Sequence, residues 1–280
     1  MKTTTKTMKT TKTLLTIGAV AGLSFTTAQA ATLTWDDGAG NDNWTDGVNW
    51  VGDPATGPVN GDSVILTTTA QIELDTDFTI VNGASLTTTA TGAGDELTLQ
   101  TASVLTLATG GTMDIGFMRP RFSSGGDFII EAGASLDTGF YGLGNTTADL
   151  TWIADASSVT TWNNSGTGDG QFNIGSDTLT VDLSSYAVSG ESSLTLVDYA
   201  NAGVLTTTFA SETITGTGGW DSLTLGADPF GDASNLEKGQ YFIDYSTGSN
   251  ITLLLHVPEP SSTALLGLGG LALMLRRKRS

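Results

Sequence analysis

Apolar and polar residues alternate in short runs along most of the chain. In the segment GDSVILTTTAQIELDTDFTIVNGASL, Val64 and Leu66, then Ile72 and Leu74, stand two apart with polar residues between them. A period of two sends successive side chains to opposite faces of a strand. Further on, GASLTTTATG (83–92) laid over TASVLTLATG (101–110) gives six identities in ten at an offset of 18 residues. The pattern returns around Gly133 to Asp137 at a different spacing, so the repeat is irregular. An offset of about 18 to 25 residues suits one coil of a β-solenoid, in which no coil buries its apolar face alone. In that geometry Leu86, Leu97, Leu99, Leu105, Leu107, Ile115, Ile129 and Leu136 stack inside, and the Ser and Thr between them face out.

From about Gly175 the texture changes. LTVDL (179–183), SLTLVDY (193–199), SLTLG (222–226), YFIDYS (241–246) and NITLLL (250–255) are separated by Gly-rich turns. They predict a small antiparallel cap that shields the open edge of the last coil. The fold class expected is therefore all-β. It is an irregular β-solenoid of the right-handed β-helix kind over a Trp-rich start and residues 31–174, with an antiparallel C-terminal region over 175–256. A β-sandwich fits the same alternation and stands as the alternative.

Composition supports strands and turns. Gly contributes 36 of 280 residues without a Gly-X-Y period, and Thr, Ser, Val and Leu dominate the remainder. Cysteine is absent, which removes disulfides and thiolate chemistry. Charge is distributed unevenly. Residues 31–256 hold only Arg119, Arg121 and Lys238 against 28 acids, a net charge of −25. Such a surface repels phosphate backbones, so nucleic acid is excluded as a partner.

The remaining lysines and arginines sit in the two ends. Residues 1–30 read as a signal peptide: a lysine-bearing start, an apolar stretch from Leu14 to Phe25, then Ala28-Gln29-Ala30. The small-x-small pattern places signal peptidase cleavage between Ala30 and Ala31. At the other end, Val257, Pro258, Glu259 and Pro260 precede thirteen uncharged residues, Thr263 to Leu275, and the basic cluster Arg276, Arg277, Lys278 and Arg279. As a helix, 263–275 spans about 20 Å against roughly 30 Å of hydrocarbon, so it crosses only with thinning or with snorkelling arginines. The cluster is expected to stay cytoplasmic.

This order of Val-Pro-Glu-Pro, short apolar helix and terminal basic cluster resembles the PEP-CTERM sorting signal, over residues 257–280. The resemblance implies export by a Gram-negative, exopolysaccharide-making bacterium and recognition by an exosortase that cleaves near Pro-Glu-Pro. It implies a membrane-anchored form before processing and a cell-surface or extracellular form afterwards. The Trp-rich opening with Trp35, Trp44 and Trp50, the GDSVIL strand and the GASL turns resemble the autotransporter-like β-helix regions of bacterial surface proteins, over about residues 32–140. That likeness implies a passenger-type stalk or adhesin-like module and carries no catalytic residues.

Chemistry-bearing residues are few. A Ser-His-Asp triad needs an imidazole, and the single one, His256, abuts the sorting motif, where a solvated linker residue is expected. Twenty-two of the acids are Asp, mostly beside turn residues, which makes any one carboxylate pair uninformative. The densest oxygen cluster is Asp36, Asp37, Asn41, Asp42, Asn43 and Asp46, a candidate calcium loop without EF-hand or RTX spacing. No other cofactor is expected. Arg119 and Arg121 in MRPRF would serve a polysaccharide lyase if they lined a groove, and Trp152 and Trp162 would stack on sugar rings if exposed. Charge compensation and burial are the plainer expectations for these four. The reading that follows is a non-enzymatic structural or adhesive protein associated with exopolysaccharide, with a β-helical carbohydrate-binding or lyase-like protein as the alternative.

Overall fold

The computed structural model describes residues 30–67, 71–89, 96–100, 102–116, 119–122, 125–138, 148–164, 174, 177–199, 207–216, 223–228, 231–246 and 249–257. Ala28, Pro258, Glu259, Pro260, the apolar stretch 263–275 and the basic cluster 276–279 lie outside the described residues. Among the described residues no helix is long and apolar enough to cross a membrane.

The chain enters as β1 (Thr32–Thr34) and then winds through three sides of a coil, β2 (Ser63–Leu66), β3 (Gln71–Leu74) and β4 (Phe78–Ile80). The next coil is β5 (Ser85–Thr88), β6 (Glu96–Leu99) and β7 (Val104–Leu107). A third follows as β8 (Thr112–Asp114), β9 (Arg119–Phe122) and β10 (Asp127–Glu131). Later coils show two described sides each: β11 (Ser135–Thr138) with β12 (Asp149–Ile153), β13 (Trp162–Asn164) with β14 (Thr178–Asp182), and β15 (Gly190–Asp198) with β16 (Ser211–Thr215). The chain ends in β17 (Thr224–Leu225), β18 (Gln240–Asp244) and β19 (Asn250–Val257).

Each strand of a coil pairs in parallel with its counterpart one coil on. This builds one long sheet on the first side (β1-β2-β5-β8-β11-β13-β15), a second of three strands (β3-β6-β9) and a third of six (β4-β7-β10-β12-β14-β16). The rest of the coil serves as the crossover that parallel strands require. A sandwich of antiparallel hairpins is therefore replaced by a solenoid, as the repeat suggested. The antiparallel pairing begins at β15, which runs against β19, while β19 also runs against β18. The parallel ladder thus continues past residue 174, since β14 pairs in parallel with β12 and β16.

Alternation fills the core. Val64, Leu86, Met113, Leu136, Trp162 and Val197 form one inward column, and Phe78, Leu105, Phe128, Leu150 and Leu179 form another; all are buried. Each such side chain contributes roughly 1.5–3 kcal/mol by leaving water. Of the eight residues expected inside, Leu86, Leu97, Leu99, Leu105, Leu107, Ile115 and Leu136 are buried. Ile129 is not: Phe128 and Ile130 take the inward positions of β10 and turn it outward.

The 18-residue offset is not a coil. Leu86 pairs with Met113, whereas Val104 lies on the third sheet beside Asp127. The two segments look alike because each side of the triangle is a turn followed by a strand, and 18 residues spans two sides. Between stacked partners the separations are 22, 25 and 29 residues at Ser63–Ser85, Gln71–Glu96 and Asp149–Thr178. The true repeat is Gly-x-(Ser/Thr)-apolar, at Gly61, Gly83, Gly110 and Gly133, all with φ between 78° and 96°. Glycine adopts that backbone without penalty. Gly83 donates to the Gly110 carbonyl and Gly110 to the Gly133 carbonyl, both at 3.1 Å, so the corners stack.

Tryptophans close the N-terminal end. Trp35 and Trp44 each meet Trp50 edge-on at 5.0 Å, and Trp44 meets Phe78 at the same distance. Trp44 and Asp42 lie along β3 through bonds with Glu73 of 3.0 and 2.7 Å. This aromatic plug covers the apolar end of the first coil, which no neighbour would otherwise bury.

Candidate functional site

Register turns the polar half of each strand into columns. On the first sheet Thr32, Ser63, Ser85, Thr112 and Ser135 align over five consecutive rungs, facing away from the core. Beside them run Thr34, Ile65, Thr87, Asp114, Asp137, Asn163 and Asp198. On the third sheet Thr79, Thr106, Ile129, Thr151, Thr180 and Thr213 align, with Ile129 the single apolar member. Parallel strands repeat at about 4.8 Å, so each column presents a hydroxyl, amide or carboxylate at that step, interrupted by Ile65 in the second column and Ile129 in the third. Individual residues gave no sign of this, because columns exist only once register is known. The Gly-x-(Ser/Thr)-apolar repeat was the available signal for the first of them.

The candidate calcium loop is organised as a set of turns. Asp36 Oδ1 accepts from Gly38 N, Asn41 Oδ1 from Asn43 N, Asn43 Oδ1 from Thr45 N and Asp46 Oδ1 from Val48 N, at 2.9–3.2 Å. Asp37 and Asp42 hold left-handed backbones at φ 55° and 57°, which Asp tolerates better than most residues. The hub is Asn49, fully buried. Its amide donates to Asn41 Oδ1 at 2.7 Å and to the Asn43 carbonyl at 2.9 Å, while its Oδ1 accepts from Ala39 N. The Asn41 amide and the Val48 N–H hold the Asp46 carboxyl below the ordinary range. Four of the six candidate side chains, Asp36, Asn41, Asn43 and Asp46, thus give an oxygen to the loop's own N–H groups, while Asp37 Oδ1 is buried without a hydrogen-bond partner. Among the described residues no three of the Asp, Glu and His side chains are grouped to hold a metal.

Arg121 is a strut. Its guanidinium donates to Glu96 at 2.8 Å, and Glu96 also accepts from Gln71 at 3.1 Å, so three successive coils are tied along the second sheet. Arg119 aligns with Glu96 in the same ladder. An open depression of about 310 Å³ is lined by Thr109, Glu131, Ile153, Asp155 and Ser185 among others, without Arg121. Trp152 and Trp162 are fully buried, and their indole N–H groups donate to the Thr160 carbonyl and the Thr138 hydroxyl. They are core and offer no stacking platform for a sugar.

The C-terminal junction is part of the fold. β19 pairs with β15 from Asn250↔Asp198 to Val257↔Gly190, and with β18 from Thr252↔Asp244 to His256↔Gln240. His256 is consequently a sheet residue and not a solvated linker: its Nδ1 lies 2.7 Å from the Leu236 carbonyl, and its own carbonyl accepts from Gly239 N. Val257 is 6 % exposed. Pro258 has no N–H to offer a ladder, and a residue before proline prefers an extended backbone, which suits Val257 in β19.

Comparison with known proteins gave no match among the curated proteins and none among the solved structures. A family model described as the PEP-CTERM protein-sorting motif does match, over residues 256–279. The chain therefore carries at its C-terminal end a signal that implies export and handling by an exosortase, attached to a β-solenoid body.

Proposed function

We propose that this chain is a non-enzymatic surface or matrix protein, structural and adhesive in role, that associates with exopolysaccharide after export. On this reading signal peptidase removes residues 1–30, the apolar stretch 263–275 holds the intermediate in the membrane, and an exosortase releases the body near Pro258-Glu259-Pro260. Every described strand pair lies at or before Val257, so loss of the tail beyond Pro258-Glu259-Pro260 removes none of them.

The observation that carries the reading is the hydroxyl column Thr32, Ser63, Ser85, Thr112 and Ser135 beside the carboxylate and amide column of the same sheet. A hydroxyl both donates and accepts, so a column of them suits a polymer that presents hydroxyls along its length. Weak contacts repeated along one polymer add through effective concentration. Trp152 and Trp162 are buried and cannot stack on a sugar, which supports polar recognition over aromatic stacking by these two residues.

The test is co-sedimentation of the purified full chain with exopolysaccharide from its own host. Replacing Ser85, Thr112 and Ser135 by Ala, Val and Ala should lower the bound fraction several-fold at unchanged melting temperature. Equal binding by the variant would remove the sheet from the function.

A further inference from the structure

The repeat contains one anomaly. In the Gly-x-(Ser/Thr)-apolar units the x position is Asp62, Ala84, Gly111 and Ala134 in successive coils. The last three are small, as a corner packed against the next coil requires. Asp62 is a carboxylate, and it is only 8 % exposed. Its Oδ2 accepts from Val59 N at 3.0 Å, and its Oδ1 accepts from Ala31 N at 2.8 Å.

Ala31 occupies the same place one rung earlier. Ser63 N donates to the Ala31 carbonyl as Thr112 N donates to Ala84 and Ser135 N to Gly111. Among the described residues Ala31 is thus the first that the ladder engages, and it is also the residue that the small-x-small pattern leaves at the start of the mature chain.

We propose that Ala31 is the mature N-terminus and that its ammonium forms an ion pair with Asp62, fastening the first rung once the signal peptide has been cut away. Hydrolysis of the Ala30–Ala31 amide adds one water: the carboxylate leaves with the signal peptide, and the amine stays on the body and takes up a proton. An amide N–H that donates to Asp62 before the cut becomes a charged donor after it, and charge-assisted bonds are roughly twice as strong. The new cation joins only Arg119, Arg121 and Lys238 in a body with 28 acids. Asp62 is the acid already aimed at it. A carboxylate at a buried corner is costly without a partner and settled with one.

This inference rests on the export reading, and the experiment separates the two. N-terminal sequencing of the exported protein should begin at Ala31; an uncut chain would overturn the export reading, and a start beyond Ala31 would overturn the ion pair alone. Two full-length chains are then compared, one starting at Ala31 and one retaining Gln29 and Ala30. The Ala31 chain should melt higher, by about 2–4 °C for each kcal/mol gained. Acetylating its α-amine, which keeps its length and removes its charge, should abolish the difference, and so should Asp62→Asn. In addition, an amine-acylating reagent should label Ala31 several-fold more slowly in the native chain than in D62N. Equal melting of the native and acetylated Ala31 chains would overturn the proposal even if D62N fails to fold, and equal labelling rates would overturn it where D62N folds.

Discussion

The hydroxyl of Tyr245 donates to the Glu212 carboxylate and so joins the terminal cap to the last coil. Glu212 stands in register with Leu179, at a position that is apolar in every earlier coil of the column. The stack of apolar side chains stops at this acid, and Tyr245, just past β18, supplies the donor that lets it stop. Burial first, and the neighbouring Glu212 second, push the Tyr245 hydroxyl far above its ordinary pKa, so it remains a donor at any physiological pH. Tyr245→Phe is expected to cost about 1.5–3 kcal/mol, the range for a hydrogen bond to a charged group. Glu212→Gln keeps an acceptor and should cost less. Urea unfolding of the two variants checks the order; an equal or smaller loss for Y245F would mean that the cap docks without this bond.

Calcium should leave the N-terminal loop unmoved. Asp36, Asn41, Asn43 and Asp46 spend their oxygens on turn N–H groups, and Asn49 locks them from beneath. A site saturated a hundredfold would add about 2.7 kcal/mol. Differential scanning calorimetry in millimolar calcium should instead give the same melting temperature as in chelator. Asn49→Asp should cost about 1–3 kcal/mol, because it removes two donations from a buried amide. A calcium-dependent rise in the native chain would show that these side chains leave their turns for the ion.

Two aspartates should give opposite pH responses. Burial, then the carboxylates of Asp149 and Asp77, hold the Asp127 pKa above its ordinary value. The folded state therefore holds that proton more tightly than the unfolded chain, and stability falls as pH rises between the unfolded and folded pKa values. Asp127→Asn should raise the melting temperature at pH 7 and give no gain near pH 3. Asp155 is the reverse: the N–H groups of Ser157 and Ser158 lower its pKa. Its contribution is present above the unfolded value and lost as pH falls through the folded one. Asp155→Ala should lower the melting temperature at pH 7, with the loss shrinking toward pH 2. Parallel slopes for the two variants would contradict these environments.

What could be read in the sequence follows the range of the physics. Alternation within a strand is local, so Val64, Leu66, Ile72 and Leu74 declared their faces directly, and all four are buried. The tail is a linear signal and was equally plain. Pairing between coils is not local. Gly110-Gly111-Thr112-Met113 has no Ser or Leu in common with Gly83-Ala84-Ser85-Leu86, although the two stack directly. The TASV segment shares more letters and stacks elsewhere. The hydroxyl columns, the Glu212 end-stop and the Ala31–Asp62 contact all depend on that register, and each emerged only with the fold.

Ile129 and Ile130 put the register to a test of their own. The two are chemically identical neighbours on β10, so strand propensity cancels when they are compared. Ile130 stands between Leu107 and Trp152 in a fully buried column. Ile129 stands between Thr106 and Thr151 on the outer face. Threonine keeps the branch at Cβ but replaces the ethyl arm of isoleucine with a hydroxyl. At position 130 that means a lost apolar contact and a buried hydroxyl, together about 2–4 kcal/mol. At position 129 it completes a column of six threonines and should change stability by less than about 1 kcal/mol. Denaturant midpoints for I129T and I130T would settle the matter: a large loss at 129 with a small one at 130 would mean that β10 is turned over, and with it every outward column on that sheet.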